Sequence, residues 1–214
     1  MKIAVVNEIV GSVRNADIVA ALEGRGHTII NAGMKSNSDK PDLLYTHTGL
    51  MAAILLNLKR VDFVVGGCGT GQGFFNAAMQ FPGVFCGYIA SPLDVWLFAQ
   101  INAGNCVSLP LTQGYGWAAD VNLRFIFDKL FSVEFGAGYP AHRKEPQRQA
   151  RLMLEKMSYV AHRPFAETIA TLPDDLIKPV LEFPGMLDLI DIDSIEDQEL
   201  KSAFRRRAES VKGD

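Results

Sequence analysis

The chain has 214 residues, 48% of them hydrophobic and 21% charged, with a formal net charge of -3. That length suffices for one domain with a full core and an appended subdomain, and the composition is too apolar for a disordered protein. The slight negative charge gives no reason to expect a nucleic-acid partner or an anionic membrane surface, so any affinity for anions has to be local.

Cys68, Cys86 and Cys106 are an odd number of cysteines spaced far apart, which argues against a disulfide framework or a zinc ribbon and fits a reducing cytoplasm. The opening Met-Lys-Ile-Ala-Val-Val is too short for the apolar region of a signal peptide, and no apolar stretch reaches the length of a membrane span. In chain order, residues 2–6 read as a buried strand. Residues 16–25 follow as an amphipathic helix closed by Gly24 and Gly26, and residues 27–31 as a second strand. Residues 41–58 fit a helix opened by Asp39 or Pro41, and Val61, Phe63, Val64 and Val65 lead a third strand into Cys68. A helix at 74–79, a strand at 84–89, a helix at 93–102, a short strand at 106–109 and a helix at 116–132 complete an alternation of strands and helices. This pattern predicts an α/β fold with a doubly wound, Rossmann-like parallel sheet. Ligands of such sheets sit at the carboxyl ends of the strands, where Asn7, Glu8, Cys68 and Ser91 should converge.

Beyond about residue 140 the character changes. Gly136, Gly138 and Pro140 form a hinge, a basic stretch runs to Arg151, and helices are expected at 148–161, 165–171, 174–182 and 197–211, divided by Pro164, Pro173 and Pro184. The division is therefore an α/β domain over residues 1–145 and a helical extension over 146–214. Leu152, Met153, Leu154 and Phe165 are expected to pack on the core or on a partner subunit. Arg205, Arg206 and Arg207 lie among Glu196, Asp197, Glu199 and Glu209 and read as a solvated terminal helix.

Residues 66–73, Gly-Gly-Cys-Gly-Thr-Gly-Gln-Gly, set a thiol at the end of an apolar strand and follow it with small, donor-rich backbone. A thiol acts as base or nucleophile only as thiolate, and open amides at a helix start favour that form. The same amides, from Gly69, Thr70, Gly71 and Gly73, are placed to hold an oxyanion that develops during reaction. A buried cysteine on a plain glycine turn is the competing reading, and three alternating glycines after a strand favour the site. No Gly-Lys-Ser/Thr follows, so this is not a Walker loop. No two histidines or carboxylates have metal-ligand spacing. His27 and His162 read as surface or cap residues, while His47 remains a candidate for the rim.

With these elements the chain resembles the type B ribose-5-phosphate isomerases and the galactose-6-phosphate isomerase subunits, from residue 1 to about 145. The resemblance rests on Lys2-Ile3-Ala4, Asp39 and Pro41, the loop from Cys68 to Gly73, Asn76-Ala77-Ala78 with Pro82-Gly83, Asn102 with Asn105, and Glu134-Phe135 with Gly138. It implies an aldose-ketose isomerisation through a cis-enediolate without metal or organic cofactor. Cys68 would carry the proton between C1 and C2, Thr70 and the amides of Gly69, Gly71 and Gly73 would hold the enediolate oxygen, and Glu8 and Asn102 would bind substrate hydroxyls with Asn7 beside them. Arg143 matches a phosphate-contacting arginine. The resemblance also implies a homodimer or homotetramer with shared active sites and a sugar phosphate as substrate.

The departures are specific. Ile9 and Ile101 stand where the family carries histidines, and Thr112 and Tyr139 where it carries arginines. The histidines open furanose rings and the arginines hold phosphate, so the chain is expected to act on a short or acyclic sugar phosphate, with Lys40, His142, Arg143 and Lys144 as a rewired anion pocket. A sugar-phosphate epimerase would need the same enediolate, and a non-catalytic sugar-binding subunit is the reading from another class.

Overall fold

In a computed structural model that describes residues 1–113 and 116–212, alternate residues of the first apolar run face opposite sides of a sheet. Ile3 and Val5 join one core cluster, and Ala4 and Val6 the other, as a strand period of two requires. The sheet comprises Lys2–Asn7 (β1), Thr28–Asn31 (β2), Phe63–Cys68 (β3), Cys86–Tyr88 (β4) and Cys106–Pro110 (β5), in the order β2-β1-β3-β5-β4, and every pairing is parallel. The chain leaves β1 toward β2 and then returns to lay β3 on the other side. This reversal opens a crevice at the carboxyl ends of β1 and β3.

Asn15–Leu22 (α1) and Ala119–Leu130 (α5) cover one face through Ile18, Leu22, Leu123, Ile126, Phe127 and Leu130. Tyr45–Asn57 (α2) and Gln72–Ala78 (α3) cover the other face, while Pro92–Leu97 (α4) and a π-helical turn at Phe98–Asn102 lead into β5. Residues 47–55 of α2 are all buried, because the sheet takes one side of this helix and the C-terminal helices take another. Those helices are Lys144–Ala161 (α6), Phe165–Thr171 (α7), Asp174–Glu182 (α8), Met186–Ile190 (α9) and Gln198–Lys212 (α10). Ile177, Leu181, Met186, Ile190 and Phe204 belong to the same apolar cluster as Leu50, Ile54 and Val64. Among the described residues no helix is long and apolar enough to cross a membrane.

The sequence expectation differs from this structure in three instructive places. Helix α2 starts at Tyr45 rather than near residue 41: Asp39 takes the backbone N-H groups of Lys35 and Ser36, and Leu44 is still extended at its ψ of 168°. Helix α9 went unread because five residues are too few to show a period. Helix α6 begins at Lys144, and its Leu152, Met153 and Leu154 are exposed instead of packed on the core; only Phe165, on α7, is partly buried against it.

Candidate active site

The crevice between β1 and β3 brings Asn7 and Gly67 into register, and Cys68 pairs with Pro110 on β5. Cys68 ends its strand with only 6% of its surface exposed. Its neighbour Gly66 admits the ring of Phe74, which a side chain at 66 would displace, so the first turn of α3 folds back onto the strand that precedes it. Gly71 sits just before α3 with a φ of +76°, a left-handed conformation that glycine adopts without strain. The loop 69–73 thus runs directly into a helix start, where the first N-H groups have no helical carbonyl.

Glu8 closes the other wall. Its two carboxylate oxygens accept the backbone N-H groups of Val10 at 2.9 Å and Gly11 at 2.6 Å. Burial nevertheless pushes its carboxyl above the ordinary range, outweighing the two donors that pull it down. Asn7 is fully buried, and neither its side-chain oxygen nor its side-chain nitrogen has a hydrogen-bond partner among the described residues. Tyr45 lies with its ring over Gly73 and is half exposed. The sequence reading passed it over, although an aromatic residue at the start of a helix that opens on this rim was the available signal.

The residue after Glu8, where a histidine was expected, is apolar. Ile9 packs against the cluster that holds Cys68, and Val10 comes close to Gly69. His47, a candidate from the sequence, is a structural residue instead. Its Nδ1 accepts the Leu44 N-H at 3.0 Å, which leaves Nε2 to donate to the Asp175 carbonyl of α8 at 3.0 Å. Thr112, at the position of an expected arginine, turns its hydroxyl onto the Gly69 carbonyl at 2.8 Å. Lys40 is exposed and pairs with Asp42 at 2.6 Å.

The other candidates lie elsewhere on the protomer. Asn102 is exposed and precedes β5, whose first residue, Cys106, pairs with Val64, four residues before Cys68 on β3. At about 3.3 Å per residue this puts Asn102 and Cys68 at opposite ends of the sheet. Asn102 lines a groove of about 380 Å³ along the β4 edge with Phe75, Met79, Tyr88, Phe98 and Leu154. His142 and Arg143 are exposed on a turn at Ala141–Arg143, on a segment bound to the same edge: Gly136 and Gly138 donate to the carbonyls of Ala99 and Gln100, and the Tyr139 ring meets Trp96 edge-on at 5.0 Å. Among the described residues no group of three or more His, Cys, Asp or Glu side chains is placed to hold a metal ion.

A thiol under a glycine loop therefore stands at the switch point of a parallel sheet. The chain belongs to the Ribose/Galactose Isomerase family, whose model matches residues 3–142. No curated protein matches it. Among solved structures it is similar over its whole length to a 4-deoxy-L-threo-5-hexosulose-uronate ketol-isomerase complexed with a tartrate, at 33% identity and a TM-score of 0.90, covering 98% of this chain and 100% of that one. It is similar also to a ribose-5-phosphate isomerase from Vibrio parahaemolyticus, at 36% identity and a TM-score of 0.83, covering 100% and 98%. A type B ribose-5-phosphate isomerase from Clostridium thermocellum shares the fold over 73% of this chain and 97% of its own, at 22% identity and a TM-score of 0.60.

Proposed function

We propose that this chain is an aldose-ketose isomerase of an acyclic acidic sugar, with a 4-deoxy-5-hexosulose uronate as the substrate that fits best. The observation that carries this reading is the loss of imidazole at two positions: isoleucine stands at 9 and 101, and both nitrogens of His47 are engaged in the fold. A closed furanose needs a proton donor at its ring oxygen before isomerisation, and such acid-base help contributes about a hundredfold or more. In a 4-deoxy-5-hexosulose uronate the oxygen at C4 is absent and that at C5 is a carbonyl. Neither can close the usual furanose or pyranose on C1, so the aldehyde needs no ring-opening group.

The charge balance points the same way. Thr112 and Tyr139 remove two guanidinium groups that a phosphate dianion would use, and a carboxylate, with a single charge, is served by fewer cations. The similar ketol-isomerase acts on a uronate and holds a tartrate, itself a carboxylate. In the proposed reaction Cys68, as thiolate, removes the proton from C2, and the electron pair moves through the C1-C2 bond onto the aldehyde oxygen. The N-H groups of the loop stabilise that oxygen while the C2 hydroxyl proton passes to it through solvent; the C2 oxygen's pair then forms the new carbonyl as C1 takes a proton from the Cys68 thiol, which exchanges with solvent, and a 2-ketose results. Glu8, whose carboxyl burial holds above the ordinary range, is the acidic group assigned to the substrate hydroxyls. Asn102 and Arg143, on the β4 edge, serve the Cys68 crevice of a second copy.

Incubation in D2O tests this reading by NMR. The uronate should yield ketose carrying deuterium at C1, ribose 5-phosphate should react poorly, and Cys68→Ala should abolish exchange while leaving ligand binding. Turnover of ribose 5-phosphate as efficient as that of the uronate would overturn the acyclic assignment. No exchange with either sugar would favour a binding subunit.

A further inference from the structure

The loop after Cys68 is held by the end of β5. The Cys68 carbonyl accepts the N-H of Leu111 at 2.9 Å and that of Gly71 at 3.1 Å, while the Gly69 carbonyl accepts the N-H groups of Thr112 at 2.9 Å and Gln113 at 3.2 Å together with the Thr112 hydroxyl at 2.8 Å. The Gly71 carbonyl accepts the Phe75 N-H at 3.1 Å and the Ser108 hydroxyl at 2.6 Å. In a planar trans peptide the N-H points opposite to the C=O. Each tie therefore fixes where the next residue's N-H points, and the three ties turn the donors of Gly69, Thr70 and Gln72 away from β5. Among the described residues the Gln72 N-H meets a distant oxygen, Thr70 Oγ1 at 3.4 Å.

Two of these ties come from side chains whose polarity has no local need. Ser108 is a fully buried hydroxyl in a strand otherwise built of Cys106, Val107, Leu109 and Pro110, all buried. A buried hydroxyl without a partner is costly, so its match with the Gly71 carbonyl is a selected contact rather than an incidental one. Thr112 is exposed, yet its hydroxyl turns inward to the loop. We propose that Ser108 and Thr112 are positioning residues for the isomerisation: their hydroxyls set the peptide planes of the loop, so that the N-H groups of Thr70 and Gln72 face the developing enediolate oxygen and the Cys68 thiolate. The assignment rests on the proposed role of the loop, and neither side chain touches the reacting atoms.

The test compares Thr112→Val, which removes the hydroxyl at constant shape, with Thr112→Ser, which keeps it, and with Ser108→Ala. Two readouts are taken: kcat and KM on the uronate, and the rate at which iodoacetamide alkylates Cys68 at neutral pH without substrate, followed on its own peptide by mass spectrometry. Thr112→Val and Ser108→Ala should lower kcat about tenfold with little change in KM, a smaller loss than deletion of a donor would cause. Both should slow the alkylation, because fewer aligned amides favour the thiolate. Thr112→Ser should match wild type, and the unfolding temperature of Thr112→Val should stay unchanged. Wild-type kcat and alkylation in Thr112→Val, or equal impairment in Thr112→Ser, would overturn the proposal. If no sugar is turned over, alkylation alone decides: slowing in Thr112→Val and not in Thr112→Ser supports the positioning role even where the substrate reading has failed.

Discussion

Glu8 is pulled in two directions, and the outcome sets a pH dependence. Two backbone donors favour its carboxylate, while burial, the larger influence, favours the neutral acid. The folded chain therefore holds this proton more tightly than the unfolded chain, whose carboxyl titrates at the ordinary 4.5. The contribution is fully present below that value and is lost as pH rises through the raised folded value, since in that window the folded state binds more protons. Glu8→Gln should abolish this particular fall in stability. Urea denaturation of both proteins at steps from about pH 4 to 7 checks it, and parallel curves would show that Glu8 does not titrate in this window. At the residue scale the sequence displayed the strand end and glycine loop around Cys68, because alternating glycines after an apolar strand are a local signature. It did not display the role of His47, whose partner Asp175 is 128 residues away, or of Ser108, because a lone serine in a strand has no pattern of its own.

Helix α2 shows how an element's pattern can report on its neighbours. Its run from His47 to Leu55 is buried on all sides, and an apolar run without a polar face requires cover from more than the sheet. That cover is α8 and α9, with α10 behind them: Phe204 is fully buried and sits in the cluster shared with Ile177 and Leu50. Phe204→Ala should cost about 3–5 kcal/mol, the range for emptying a packed aromatic site, measured by urea unfolding. A loss below about 1 kcal/mol would mean that α10 lies against the core without supporting it. The strands were legible because a parallel sheet covered on both faces writes its strands as short continuous apolar runs. The start of α2 was not, since Asp39 and its turn hold the chain extended past Pro41, and a proline within a helical pattern does not reveal on which side of it the helix begins.

At the scale of the whole molecule, the sheet separates two groups of the proposed site. Asn102 stands at the amino end of β5 and Cys68 at the carboxyl end of β3 of the same protomer. The edge that carries Asn102 is apolar through Phe75, Met79, Phe98 and Leu154, and α6 beside it exposes Met153, Met157 and Val160 at successive turns. Such an uncovered apolar surface suits a symmetric dimer in which each copy supplies Asn102 to the other's Cys68. Cys68→Ala and Asn102→Ala should each be nearly inactive alone. When the two are mixed after reversible dissociation, half the dimers become mixed, and one of their two crevices carries both intact residues. Activity should then recover to about a quarter of wild type, the fraction set by random pairing in a two-fold dimer. Measured isomerase activity that stays at the level of the separate variants, in a mixture shown by mass to contain the mixed dimer, would place Asn102 outside the site.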